Sequence, residues 1–97
     1  MNKTIGIVAA LPGEARALVG RCSWEKGNGF QHCRVVLKDG TDLSVVQSGM
    51  GMDNAFSAAH WLSKNGVAAL GCFGVSGGLD PRLGIGDLVF ADAVFME

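Results

Sequence analysis

Residues 4–11 read T-I-G-I-V-A-A-L, and this almost continuous apolar run constrains the fold more than any other segment. A strand without a polar face is typical of one that is buried on both sides of a sheet. Such a strand predicts a layered α/β fold. Pro12 suits the first turn of a helix, and the helix-forming residues that follow predict a helix that ends at Gly20.

The next part of the chain predicts a loop and then a hairpin. Residues 23–29 are polar and rich in glycine, which is typical of a loop. Residues 31–38 and 41–47 are strand-like runs joined by Asp39-Gly40. Asp-Gly between two such runs is among the strongest hairpin signals that a single sequence offers.

The last part returns to alternating helix and strand patterns. Apolar residues recur at helical spacing between Met52 and Leu62, and Asn65-Gly66 is a suitable end for that helix. Residues 67–73 and 88–91 predict two further strands. The predicted order is β-α-β-β-α-β-β, a mixed, mostly parallel sheet with one antiparallel hairpin, in a single domain over residues 1–97.

Composition excludes several classes of protein. The net charge is −1 with a pI near 6.0, and no face is rich in Lys and Arg, so we expect no nucleic acid partner. Apolar runs fall short of the ~20 residues that span a bilayer. The start of the chain shows no signal-peptide pattern, which favours a cytoplasmic protein without membrane contact. The three cysteines have no C-x-x-C spacing, so we expect free thiols and neither a metal site nor a cofactor.

Glycines concentrate at the ends of the predicted strands, and this placement suggests where a ligand binds. The first strand ends at Ala10-Leu11, and Glu14 follows about one helical turn later. Another strand ends in S-G-M-G (48–51), and a third in G-V-S-G-G (74–78). Ligands of open α/β sheets bind beyond the carboxyl ends of strands, and glycine lets backbone N–H groups face an anion or a hydroxyl. The pattern predicts a site for a polar, ribose-like ligand.

Three stretches resemble one known family in the same order. They are I-G-I-V-A-A-L-P-G-E (5–14), S-G-M-G-M-D-N-A (48–55) and G-V-S-G-G-L-D-P-R-L-G-I-G-D-L-V (74–89). They are similar to the nucleoside phosphorylase/nucleosidase superfamily, which includes purine nucleoside and uridine phosphorylases and methylthioadenosine/S-adenosylhomocysteine nucleosidases. The second stretch is also similar to futalosine hydrolases, and the third is similar to hopanoid-associated phosphorylases. The resemblance implies a three-layer α/β/α fold of the phosphorylase/hydrolase type and cleavage of a purine nucleoside N-glycosidic bond.

The resemblance also implies roles for individual residues. Glu14 matches the carboxylate that holds and activates the attacking water in nucleosidases. The residues matched to the substrate-binding pocket are Ala10, Leu11, Met50, Val75, Ser76 and Gly77. Two of these assignments have plainer alternatives: Glu14 as a solvated carboxylate stabilised by the helix dipole, and Met50 as ordinary core.

The choice of nucleophile rests on departures from the family pattern. Phosphorylases of this family hold phosphate with arginines and a hydroxyl, and the matching positions here are Glu14, Cys72 and Val75. A carboxylate repels phosphate, and a thiol and an isopropyl group do not neutralise it. Hydrolysis is therefore favoured over phosphorolysis, with phosphate left open as a second reactant.

In this family the catalytic acid and the ribose-binding residues lie in the second half of a longer chain. Asp87 does not match that acid, and Asp92 has no assigned role. We therefore expect a truncated domain that is inactive alone and that forms a homo-oligomer. The alternative is a non-catalytic module that self-associates through exposed strand edges. A dinucleotide fingerprint at Gly49-x-Gly51 is a weaker interpretation, because Asn54 occupies the position of the third glycine.

Overall fold

A computed structural model of the chain describes residues 4–20, 22–27, 29–74 and 81–89. Five strands form one sheet in the order β2-β3-β4-β1-β5. Two helices connect them. The elements in chain order are β1 Thr4–Ala9, α1 Pro12–Val19, β2 Glu25–Gly27, β3 Phe30–Val36, β4 Asp42–Gln47, α2 Met52–Lys64 and β5 Ala69–Cys72.

β1 lies between β4 and β5 and runs parallel to both. Its register with β4 extends from Thr4↔Asp42 to Ala9↔Gln47. Its register with β5 extends from Ile5↔Ala69 to Val8↔Cys72. The apolar run of the sequence thus forms an interior strand, as its lack of a polar face predicted. The predicted α/β fold with a mixed sheet is confirmed.

The hairpin predicted at Asp39-Gly40 is present. β3 and β4 pair antiparallel and their last pair before the turn is Val36↔Asp42. Gly40 has a φ of 89°, a left-handed conformation that suits glycine. The Thr41 N–H donates to Asp39 Oδ1 at 2.9 Å. This hydrogen bond stabilises the ionised carboxylate and lowers the pKa of Asp39.

Two features of the predicted order differ from the structure. Residues 23–29 were predicted as a loop, but Glu25–Gly27 forms a short strand that pairs antiparallel with β3. The polar residues of this segment do not favour a strand. Pairing with the free edge of β3 nevertheless satisfies their backbone hydrogen-bonding groups. The described sheet therefore has two parallel and two antiparallel pairs. Of the strand predicted at 88–91, Leu88 and Val89 have no regular structure, and the remainder lies outside the described residues.

α2 crosses from β4 to β5 and covers one face of the sheet. Its Ala58 and Leu62 join Val8 and Val46 in a buried cluster. Gly6 belongs to the same face, because a Cβ there would lie 3.1–3.2 Å from the side chains of Leu70, Leu62 and Val67. Glycine in the middle of β1 thus lets α2 and the following segment approach the sheet closely.

The opposite face is also buried. Ala9 and Val45 point away from α2, because successive side chains alternate across a sheet, and both are fully buried. α1 packs against β1 and β4, and its Ala15 is fully buried as well. Layers on both faces explain the lack of a polar side in β1. Neither described helix combines the length and the hydropathy needed to cross a bilayer.

Candidate functional site

Three strand ends meet side by side at the carboxyl edge of the parallel strands. The Ser48 N–H donates to the Ala9 carbonyl at 2.9 Å, and the Gly49 N–H donates to the Ala10 carbonyl at 3.0 Å. On the other side of β1, the Phe73 N–H donates to the Val8 carbonyl at 3.0 Å. These hydrogen bonds extend the pairing past the last residues of β4 and β5. The sheet itself therefore brings together the end of β1, the turn at residues 48–51 and Gly74, as the glycine-rich strand ends predicted.

The three ends line a cavity of about 300 Å³ that is open to solvent. This is the lower end of the ~300–1,000 Å³ typical of small-molecule sites. The described residues that line it are Val8, Ala10, Glu14, Ser48, Gly49, Gly51, Ala55, Cys72, Phe73 and Gly74.

Glu14 connects the first helix to the cavity. Its Oε1 accepts a hydrogen bond from the Leu11 N–H at 3.2 Å, so the carboxylate caps the start of α1. The side chain is half-buried and lines the cavity. Its Oε2 lies 2.8 Å from the position that a Cβ on Gly74 would occupy. A capping role and a place at the site are therefore combined in one residue.

The turn between β4 and α2 forms a second wall. Gly49 and Gly51 have φ values of 83° and 98°, so both adopt a conformation that favours glycine. The side-chain amide of Asn54 donates to the Met50 carbonyl at 2.7 Å and fixes this turn from inside the first turn of α2. The Ser48 hydroxyl donates to the Gly49 carbonyl at 2.8 Å.

The cavity carries negative rather than positive charge. Among its described lining residues are the carboxylate of Glu14 and the thiol of Cys72, but no Lys, Arg or His. A carboxylate in such a setting can accept a proton or orient a water molecule. Among these described residues, a dianion such as phosphate would meet repulsion from Glu14 and no cation that offsets it.

The residues predicted from the sequence divide into three groups. Ala10 and Glu14 line the cavity. Leu11 and Met50 are not among its described lining residues. Leu11 is the N-cap of α1, and its side chain is 42% exposed, while that of Met50 is 71% exposed. Val75, Ser76 and Gly77 lie outside the described residues.

Several cavity residues had no predicted binding role. The glycine-rich turns indicated the segments that contain Ser48, Gly49, Gly51 and Gly74, but not which groups face the cavity. Ala55 and Phe73 were assigned only to an apolar helix face and an apolar strand. Their place at the site depends on the pairing of β1 with both neighbours.

The cysteines do not form a metal site in the described part of the chain. No three His, Cys, Asp or Glu side chains come together there in a way that could hold an ion. His32 and Cys33 point to opposite faces of β3, and the His32 ring lies 4.9 Å from that of Trp61. Burial raises the pKa of the Cys33 thiol to about 12, with a further contribution from the neighbouring Cys22.

A crevice at the carboxyl ends of parallel strands, with glycine turns and one carboxylate, defines a small-molecule site of the α/β class. Comparison with known proteins identifies the family. The family model of the phosphorylase superfamily matches residues 4–97. The chain belongs to this superfamily.

Individual relatives are nucleosidases. The chain is 35% identical over 100 residues to a 5′-methylthioadenosine/S-adenosylhomocysteine nucleosidase from Mycobacterium tuberculosis, covering 97% of this chain and 38% of the relative. The nucleosidase structure from Colwellia psychrerythraea, in complex with adenine, has a TM-score of 0.73 and 27% identity over 90% of this chain and 37% of its own. A Helicobacter pylori nucleosidase variant with 5′-methylthioadenosine in its active site shares the fold, with a TM-score of 0.67 and 23% identity over 88% of this chain and 38% of its own. The chain thus spans less than two-fifths of the length of these relatives.

Proposed function

We propose that these residues form the first part of an enzyme that cleaves the N-glycosidic bond of a purine nucleoside with water as the nucleophile. The observation that carries the proposal is the Glu14 carboxylate, which lies in the cavity at the three strand ends. The nucleosidase relatives and the adenine-bound neighbour support the bond type and a purine ligand.

Water is favoured over phosphate on electrostatic grounds. Glu14 supplies negative charge, and no Lys, Arg or His is among the described lining residues. Cys72, at another position matched to the phosphate grip, also lines the cavity, and a thiol does not neutralise phosphate. A carboxylate within hydrogen-bond reach of water can instead orient it and accept its proton as the bond to the sugar forms.

The proposal is tested by supplying the part that the relatives have beyond the matched region. A fusion protein joins this chain to the segment that follows the matched residues in the Mycobacterium tuberculosis nucleosidase. We expect it to release adenine from 5′-methylthioadenosine without phosphate, and added phosphate should not accelerate the reaction. A folded fusion protein that binds adenine but releases none, or that requires phosphate, would contradict the proposal.

The chain alone is proposed to have negligible turnover. Release of free base from methylthioadenosine or inosine by the purified 97-residue chain would overturn this statement.

A second candidate is a non-catalytic, self-associating module. The exposure of Met52 and Phe56 on α2, at 68% and 70%, favours it. Calorimetric titration separates the two: absence of adenine and methylthioadenosine binding at millimolar concentration favours the module. A cytoplasmic location is a further part of the proposal.

A further inference from the structure

Gly74 is the second residue after β5, and it lies against the carboxylate of Glu14. A Cβ at this position would lie 2.8 Å from Oε2, 3.4 Å from Cδ and 3.7 Å from Oε1 of Glu14. Non-bonded carbon and oxygen atoms do not approach to 2.8 Å without strong repulsion. A side chain at position 74 and the carboxylate in its present place therefore exclude each other.

The backbone does not require glycine at this position. Gly49 and Gly51, at the neighbouring strand end, have positive φ values, whereas Gly74 is not among the glycines with positive φ. The φ angle at position 74 is thus not one that favours glycine. Among the described residues, the three atoms nearest to a Cβ at this position all belong to the Glu14 carboxylate.

Displacing the carboxylate would change the site. The carboxylate is the end of a flexible side chain, so it can rotate away from an added methyl group. Rotation would break or lengthen the 3.2 Å hydrogen bond between the Leu11 N–H and Oε1. It would also move Oε2 within the cavity.

We propose that Gly74 is a positioning residue that sets the place of the Glu14 carboxylate in the cavity. Its catalytic importance rests on the proposed function; the positioning itself does not. Gly71 provides the matched control, because it precedes Gly74 by three residues and a Cβ there meets nothing within 4 Å.

The positioning is tested in the 97-residue chain by nuclear magnetic resonance. Gly74→Ala should shift the Glu14 side-chain carboxyl carbon and the Leu11 amide signals, while the midpoint of thermal unfolding falls by about 4–8 °C or less, the cost of losing one helix-capping hydrogen bond. Gly71→Ala should leave both signals in place. Unchanged Glu14 and Leu11 signals in Gly74→Ala would overturn the proposal.

A double substitution distinguishes a local clash from a general effect on the fold. In a Glu14→Ala background there is no carboxylate to displace, so adding Gly74→Ala should cause no further shift of the Leu11 amide. If Gly74→Ala alone does not fold, recovery of folding in the double variant supports the proposal, and continued failure to fold overturns it.

The fusion protein described above separates positioning from catalysis. There, Gly74→Ala should lower kcat by about 10- to 100-fold with little change in KM, since small misplacement of a reacting group has effects of this size. Shifted Glu14 and Leu11 signals with unchanged turnover would support the positioning and contradict the proposed role of Glu14. Unshifted signals would overturn the positioning whatever the turnover.

Discussion

At the residue scale, Glu14 has two neighbours that constrain it from different elements. The Leu11 N–H holds one oxygen at the start of α1, and Gly74 leaves room for the other at the end of β5. The hydrogen bond from Leu11 reduces the rotamer freedom of the carboxylate before any ligand binds, and the lack of a side chain at Gly74 permits this position. Such preorganisation is what a group that orients a water molecule requires.

Glu14→Gln is expected to remove hydrolysis while preserving the fold. The amide oxygen of glutamine can still accept the Leu11 N–H, so the helix cap remains, but an amide does not accept the proton of water. We expect a loss of about 10²- to 10⁴-fold in kcat of the fusion protein, the range for general base catalysis. Purine affinity should stay nearly unchanged. Glu25→Gln, at an exposed carboxylate of β2, is the control, and full activity of Glu14→Gln would remove Glu14 from the mechanism.

Cys33 should make the stability of the fold decline at alkaline pH. Its pKa is raised from 9.0 to about 12, so between these values the unfolded chain loses a proton that the folded chain keeps. The stabilisation is complete below pH 9 and falls as the pH rises towards 12. Urea unfolding between pH 8 and pH 10.5 should show this decline, and Cys33→Ala should reduce it. Cys72→Ala, at an exposed thiol, should leave the decline as it is. The same slope of unfolding free energy against pH in the wild type, Cys33→Ala and Cys72→Ala would contradict the prediction.

At the scale of elements, α2 has the same side-chain contact at both ends. Asn54 donates its amide to the Met50 carbonyl and Asn65 donates to the Trp61 carbonyl, each at 2.7 Å across four residues. Only the first of these bonds lies at the turn that lines the cavity. Comparing substitutions of Asn54 and Asn65 therefore distinguishes an effect on the stability of α2 from an effect on the shape of the site.

Asn54→Ala and Asn65→Ala should have similar effects on stability and different effects on the cavity. Each removes one hydrogen bond, which contributes about 0.5–1.5 kcal/mol to the free energy of unfolding. The amide signals of Gly49 and Gly51 should move in Asn54→Ala and stay in place in Asn65→Ala. Urea unfolding and amide spectra of the two variants provide the measurements. Equal movement of the glycine signals in both would show that Asn54 has no special part in the turn.

At the scale of the whole molecule, exposed apolar side chains favour association of copies. On and before α2, Met50, Met52 and Phe56 are each about two-thirds or more exposed, at 71%, 68% and 70%. Exposed apolar side chains close together in the chain, with Met52 and Phe56 four residues apart on one helix, are typical of an interface. The homo-oligomer expected from the sequence remains a prediction.

Light scattering during size exclusion should give a mass above that of one chain at micromolar concentration. Phe56→Glu should shift the protein towards the monomer, because burying a charge against apolar side chains is unfavourable. Ser63→Glu, at an exposed polar position of the same helix, is the control and should leave the mass unchanged. A monomeric wild-type chain under these conditions would contradict the prediction.

Local sequence was sufficient for the parts of the fold that depend on neighbours in the chain. The Asp39-Gly40 turn, Pro12 at the start of α1 and the apolar run of β1 each have a short-range physical cause, and the structure has all three. Asp87 also makes a short-range contact, since its carboxylate accepts the Gly84 N–H at 2.8 Å. The resemblance of the three motifs was sufficient to predict the superfamily to which the chain belongs.

Tertiary structure alone decided which groups meet. Residues 25–27 became a strand only because the edge of β3 was free to pair with them, and the local polar sequence does not encode that edge. The contact between Gly74 and the Glu14 carboxylate joins residues 60 positions apart in the printed sequence and arises from the parallel pairing of β1 with β5. The sequence by itself thus determined the strand ends and their glycine turns. Their arrangement around one carboxylate depended on long-range strand pairing, which no local pattern specifies.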